Sequence, residues 1–114
     1  MNEEILKGYL ACAMFAETTD DEQIDDVSDA FKDRAVLDVN TFVASIDPKD
    51  LEQALSEQDA SQIGHDFWLT RQGHGAGFWD GDYSEELGKR LTAKAKAMGE
   101  IYHYCNDENL LCLD

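Results

Sequence analysis

Residues 64–82 read GHDFWLTRQGHGAGFWDGD, and the way this stretch folds decides the architecture of the chain. It holds both tryptophans, two of the three histidines and five of the eight glycines of a 114-residue protein. Phe67, Leu69 and Arg71 alternate with Trp68 and Thr70, which is the period of a strand. Gln72-Gly73-His74-Gly75 has turn chemistry, and Ala76-Gly77-Phe78-Trp79 reads as a returning strand. The spacing predicts a tight hairpin whose glycines supply positive φ angles and leave room for Trp68 and Trp79 to pack across it. Arg71 and His74 fall at its tip as candidate polar anchors for a ligand or partner.

Downstream, Asp82 or Ser84 caps a helix running through Leu87, Leu91, Ala95 and Met98, with Gly99 placed to end it. Residues 101–105 and 110–113 flank Asn106-Asp107-Glu108-Asn109 and read as a closing hairpin. Upstream, Asn2 caps a first helix with an apolar stripe at Ile5, Leu6, Tyr9, Leu10, Ala13 and Met14. Ser28 caps a second, striped by Phe31, Ala35, Val39, Phe42 and Ile46. Asp47-Pro48-Lys49-Asp50 restarts a short third. The expectation is a single α+β domain over 1–114. Its acidic helical part spans 1–62, and a ββαββ unit over 63–114 forms a small antiparallel sheet. The predicted core is Tyr9, Leu10, Phe31, Phe42, Phe67, Leu69, Phe78, Leu87, Leu91, Met98, Ile101 and Leu111.

Nine basic residues against 25 acidic ones give a net charge of −16. The excess is uneven, with 16 acids and 4 bases in residues 1–63. Such a chain repels phosphate backbones, so direct nucleic-acid binding is not expected, while basic protein surfaces are attracted. Acidity of this kind also serves solubility or salt adaptation. No apolar run nears the roughly 18 residues of a membrane span. The acidic start MNEEILKG and an odd number of cysteines, three, fit a reducing cytoplasm. The sharpest functional feature is Asp20, Asp21, Glu22, Asp25, Asp26, Asp29 and Asp33, seven carboxylates within fourteen residues. On helix faces, carboxylates can approximate the spacing of backbone phosphates. A calcium loop pattern is absent.

Other chemistry finds little footing. His103, Cys105 and Cys112 could in principle furnish three zinc ligands, but no second motif completes a tetrahedral set. His65 with Asp66, and His74 with Asp80, make looser pairs still. None of the cysteines opens a helix or follows a glycine-rich elbow, and capping accounts for Ser84. The glycines of GHGAG lie between strand-like segments and not ahead of a helix, so they do not form a phosphate cradle. No catalytic residue, metal ligand or cofactor is assigned.

The stretch from Gly64 to Asp82, followed by Leu87-Gly88-Lys89-Arg90-Leu91-Thr92, Ala95-Lys96-Ala97-Met98-Gly99 and a terminal hairpin, resembles a family of small acidic proteins of bacteriophages and prophages. The likeness is dense to Asp82 and looser to Gly99. In the N-terminal half it is limited to Tyr9, Leu10, Cys12, Ala13 and the acidic run that follows. The closing hairpin, Tyr102-His103-Tyr104-Cys105-Asn106-Asp107, departs from the family's tyrosine, valine and glycine before paired aspartates. The resemblance implies a phage accessory protein in the host bacterial cytoplasm and brings no catalytic residues. The expected function is non-enzymatic binding of a basic, nucleic-acid-handling protein through the acidic face, with a DNA-mimic inhibitor of host defence or recombination as its specific form. The alternatives are a small-ligand or peptide-binding module centred on the tryptophan hairpin, or a hydrolase or metal enzyme. The oligomeric state is left open.

Overall fold

The structure, a computed structural model, describes residues 2–20 and 23–114. Its order is α1 (Asn2–Glu17), β1 (Asp26–Val27), α2 (Asp29–Ser45), α3 (Pro48–Glu57), α4 (Ala60–Arg71), α5 (Glu85–Ala97), β2 (His103–Cys105) and β3 (Leu110–Leu113). The class is α+β. Ser28 caps α2 by accepting from Phe31 N at 3.1 Å, and Asp47 caps α3 by accepting from Lys49 N at 2.9 Å, with Pro48 in the first turn. Gly99, at φ 78°, follows the end of α5. Two expected caps act differently. Asn2 lies inside α1 and its side chain donates to Asn40 Oδ1 at 2.9 Å. Ser84 makes no capping bond to α5, and its backbone N–H and hydroxyl bond Glu57 instead.

The predicted tryptophan hairpin does not form. Residues 60–71 are the helix α4, started by Asp59, whose carboxylate accepts from Gln62 N at 2.8 Å. The glycine-rich segment ends that helix. Gly73, at φ 73°, donates to Thr70 O, and His74 N donates to Leu69 O, the paired closure known as the Schellman motif. Residues 76–79 form no strand; Gly77 lies in a bend and Phe78 and Trp79 in a turn. Alternation misled because α4 is central. Ile63, Gly64, Asp66, Phe67, Trp68, Thr70 and Arg71 are all buried, so no polar face marks the helical period. Trp68 is enclosed, edge-on to Tyr9 at 5.3 Å, whereas Trp79 is 52% exposed, so the two do not pair.

Helix α4 packs most closely on α1. A Cβ on Gly8 would run into the backbone of Ser61, and one on Gly64 into the Ile5 carbonyl, so both glycines are required by the approach of the two backbones. Phe67 stacks on Phe42 of α2 with ring centroids 4.0 Å apart and planes 9° apart. Nine of the twelve predicted core residues are buried; Leu10, Leu69 and Met98 only flank the core. The antiparallel ββαββ sheet is replaced by a mixed three-stranded one of order β1-β3-β2. The closing hairpin is present, with Tyr104 opposite Cys112. Its strand β3 also pairs in parallel with β1, Asp26 opposite Leu110. A two-residue strand from the acidic connector carries no periodicity by which to anticipate it.

Candidate functional site

Arg71 is not a surface anchor. Its guanidinium is buried at the end of α4, where Nη1 donates to Asp38 Oδ2 at 2.8 Å and to the Tyr9 hydroxyl at 3.1 Å. Nε and Nη2 donate to the carbonyls of Gly99 and Met98 at 2.8 and 3.1 Å, setting a positive charge against the C-terminal end of α5. Arg34 reaches the same aspartate at 3.0 Å. Burial pushes the Tyr9 phenol up to about 12, despite the neighbouring Arg71 charge. This clasp ties α1, α2, α4 and α5 together.

His74, the other expected anchor, is half-buried just beyond α4. Its Nε2 lies 2.9 Å from Glu17 Oε2, which also accepts from Trp68 Nε1 at 3.2 Å. His103 Nε2 stands 3.5 Å from the other oxygen of Glu17. The carboxylate therefore faces three ring nitrogens beside a shallow recess of about 290 Å³ bordered by Gln72, Glu100 and Asp114. Chemically, the arrangement can hold or pass a proton between imidazole and carboxylate. Among the described residues, no serine, threonine or cysteine lines the recess. Glu17 gave one early signal. A carboxylate in the last turn of a helix with no base beside it opposes the helix dipole and so points to a tertiary partner.

The other chemistry-bearing residues are scattered. Cys112 stands opposite Tyr104, on the opposite face of the sheet from His103 and Cys105, so these three do not converge. No group of three or more His, Cys, Asp or Glu side chains is placed so that it could hold a metal ion among the described residues. Asp66 and Tyr83 are buried, the tyrosine hydroxyl donating to Asp66 Oδ2 at 2.8 Å while Gln62 donates to Oδ1 at 3.1 Å. Desolvation raises the Asp66 carboxyl above its ordinary value, and burial with the nearby carboxylate raises the Tyr83 phenol strongly. Perturbed acids often mark active sites. This pair is enclosed by side chains, which suits a cross-link between α4 and the segment leading into α5.

The acidic residues gather differently. Asp20, Asp25, Asp26, Asp29 and Asp33 are all exposed, while Asp21 and Glu22 lie outside the described residues. The β1–β3 pairing carries the turn of the closing hairpin to the same end. Asp25 N donates to Asn109 O at 2.8 Å, and Asn109 Nδ2 donates to Asp25 Oδ2 at 3.4 Å. Asp107 and Glu108, exposed in that turn, thereby join carboxylates about eighty positions away in sequence. None of these seven side chains is ion-paired among the described residues. By the register, Asp26, Leu110, Cys112 and Tyr104 share the outer face of the sheet. Tyr104 is 50% exposed and Tyr102, two residues before it, 71%.

Comparison with protein-family models, characterised proteins and solved structures finds no match to this chain.

Proposed function

We propose that the protein is a non-enzymatic interaction protein that engages a basic partner through the acidic end of its sheet. The observation carrying this reading is the convergence of Asp25, Asp26, Asp107 and Glu108 at one end of the sheet. Its strand β2 exposes Tyr104 and is preceded, towards the other end, by the exposed Tyr102. Exposed tyrosines supply contact area at low entropic cost, and carboxylates steer and select a cationic surface. The net charge of −16 disfavours nucleic acid as the partner and favours a protein that itself binds nucleic acid. With the resemblance to phage proteins, this reading extends to an accessory protein in a bacterial cytoplasm. There it would occupy a groove that otherwise holds a phosphate backbone. A ligand-binding module centred on Arg71 loses its polar anchor, because that side chain is committed to Asp38 and to α5.

The test is capture of partners from bacterial lysate on immobilised protein, washed at low and high salt. A basic nucleic-acid-binding protein should be retained at low salt and lost at high salt. Both Asp25→Asn/Asp26→Asn/Asp29→Asn/Asp33→Asn and Tyr102→Ala/Tyr104→Ala should release it. Retention unchanged by salt and by both variants would refute the proposal.

A further inference from the structure

A second surface has the opposite chemistry. Where the end of α2 and the start of α3 meet α5, the chain borders an open cleft of about 790 Å³. That volume is within the range of small-molecule sites, roughly 300–1,000 Å³. Three of the nine basic residues, Lys49, Arg90 and Lys94, line it. Its two carboxylates are already engaged. Asp47 caps α3 at Lys49 N, and Asp50 grips Arg90 through Nε and Nη2 at 2.8 and 2.9 Å. That two-point grip fixes the guanidinium plane and leaves Nη1 without a hydrogen-bond partner among the described residues. Lys49 and Lys94 make no ion pair among the described residues. The floor is apolar, formed by the buried Ile46 and Leu91, and on the Ile46–Pro48 side it adjoins an apolar recess of about 450 Å³.

We propose that this cleft binds a small organic anion. Its phosphate or carboxylate head would meet Lys49, Lys94 and the free amino group of Arg90, and its apolar body would lie over Ile46. Three cations against the two lining carboxylates leave the cleft net positive over an apolar floor, in a chain whose net charge is −16, and this favours an anion there. Asp50 then acts as a positioning residue that holds Arg90 in place. This site lies on helices α2, α3 and α5 and does not depend on the acidic end of the sheet.

The experiment is titration of the isotope-labelled protein with phenyl phosphate, benzoate and inorganic phosphate, read by amide chemical shifts. Phenyl phosphate or benzoate should shift the amides of Ile46, Lys49, Arg90 and Lys94 saturably, and inorganic phosphate, lacking the apolar body, should bind more weakly. The tighter of the two aromatic probes identifies the head group. Lys49→Gln/Lys94→Gln, still folded by its spectrum, should weaken binding about tenfold or more through the loss of two charge-assisted contacts. The control Lys7→Gln/Lys96→Gln, with the same change of charge outside the cleft, should bind like the parent. Absence of saturable shifts at these residues, or equal weakening by both double variants, would overturn the proposal.

Discussion

Arg71 Nη1 lies 2.8 Å from Asp38 Oδ2, with both side chains almost entirely withdrawn from solvent. The pair joins the end of α4 to the middle of α2, and its remaining bonds reach α1 and the end of α5. Removing Asp38 leaves the buried Arg71 without its counter-charge, whereas removing Arg71 leaves Asp38 still paired with the half-exposed Arg34. Asp38→Asn should therefore cost about 3–5 kcal/mol in urea unfolding, and Arg71→Met less. Arg71→Met combined with Asp38→Leu should cost less than the sum of the single changes, since no orphan charge remains. A single variant as stable as the parent would show that the clasp is dispensable.

The meeting of α1 with α4 has no spare volume at Gly8 or Gly64. Gly64→Ala should force the helices apart at a cost of about 1–3 kcal/mol, although alanine favours helix at an exposed site. Thermal unfolding is a sufficient readout. A gain in midpoint temperature would mean that the helices can separate freely.

Asp66 supplies a pH signature. Burial raises its native carboxyl above the ordinary value, while bonds from Tyr83 and Gln62 act in the opposite direction. The folded protein then keeps a proton that the unfolded chain has released. Its contribution to stability falls as pH rises from about 3.9, the unfolded value, through the raised native value. Asp66→Asn removes this slope. The stability of the asparagine variant relative to the parent should improve as pH rises above about 4. Parallel profiles for the two proteins would contradict this assignment.

Cys12 is buried in α1, and desolvation, with the nearby Asp66 and Glu17 charges, pushes its thiol up to about 12. It should resist iodoacetamide at neutral pH and react only at the rate of global unfolding, as followed by peptide mass spectrometry. Prompt alkylation in native buffer would show that α1 opens locally.

The helices with one polar side were readable from sequence, because periodicity and caps agree at Ser28, Asp47 and Gly99. Helix α4 was not, because its polar residues face inward to partners far away in the chain: Asp66 to Tyr83, Arg71 to Asp38, and Trp68 Nε1 to Glu17. Local reading treats buried polar groups as surface and so takes a helix for a half-exposed strand. One local clue pointed the other way. Asp59 with Gln62 three positions later is a helix-start signature ahead of the apolar run. The acidic run was visible in outline, but the contribution of Asp107 and Glu108 depends on the β1–β3 pairing.

That pairing has a consequence for how the protein comes into being. β1 and β2 are not hydrogen-bonded neighbours, and each pairs with β3 between them. During synthesis from the N-terminus, β1 is made more than eighty residues before β3, its partner in the sheet. The helices can collapse on the ribosome, but the sheet waits for residues 110–113 to emerge. Until then the acidic connector is tethered only through its flanking helices. Its final geometry, and with it the surface proposed for partner recognition, is a late product of folding.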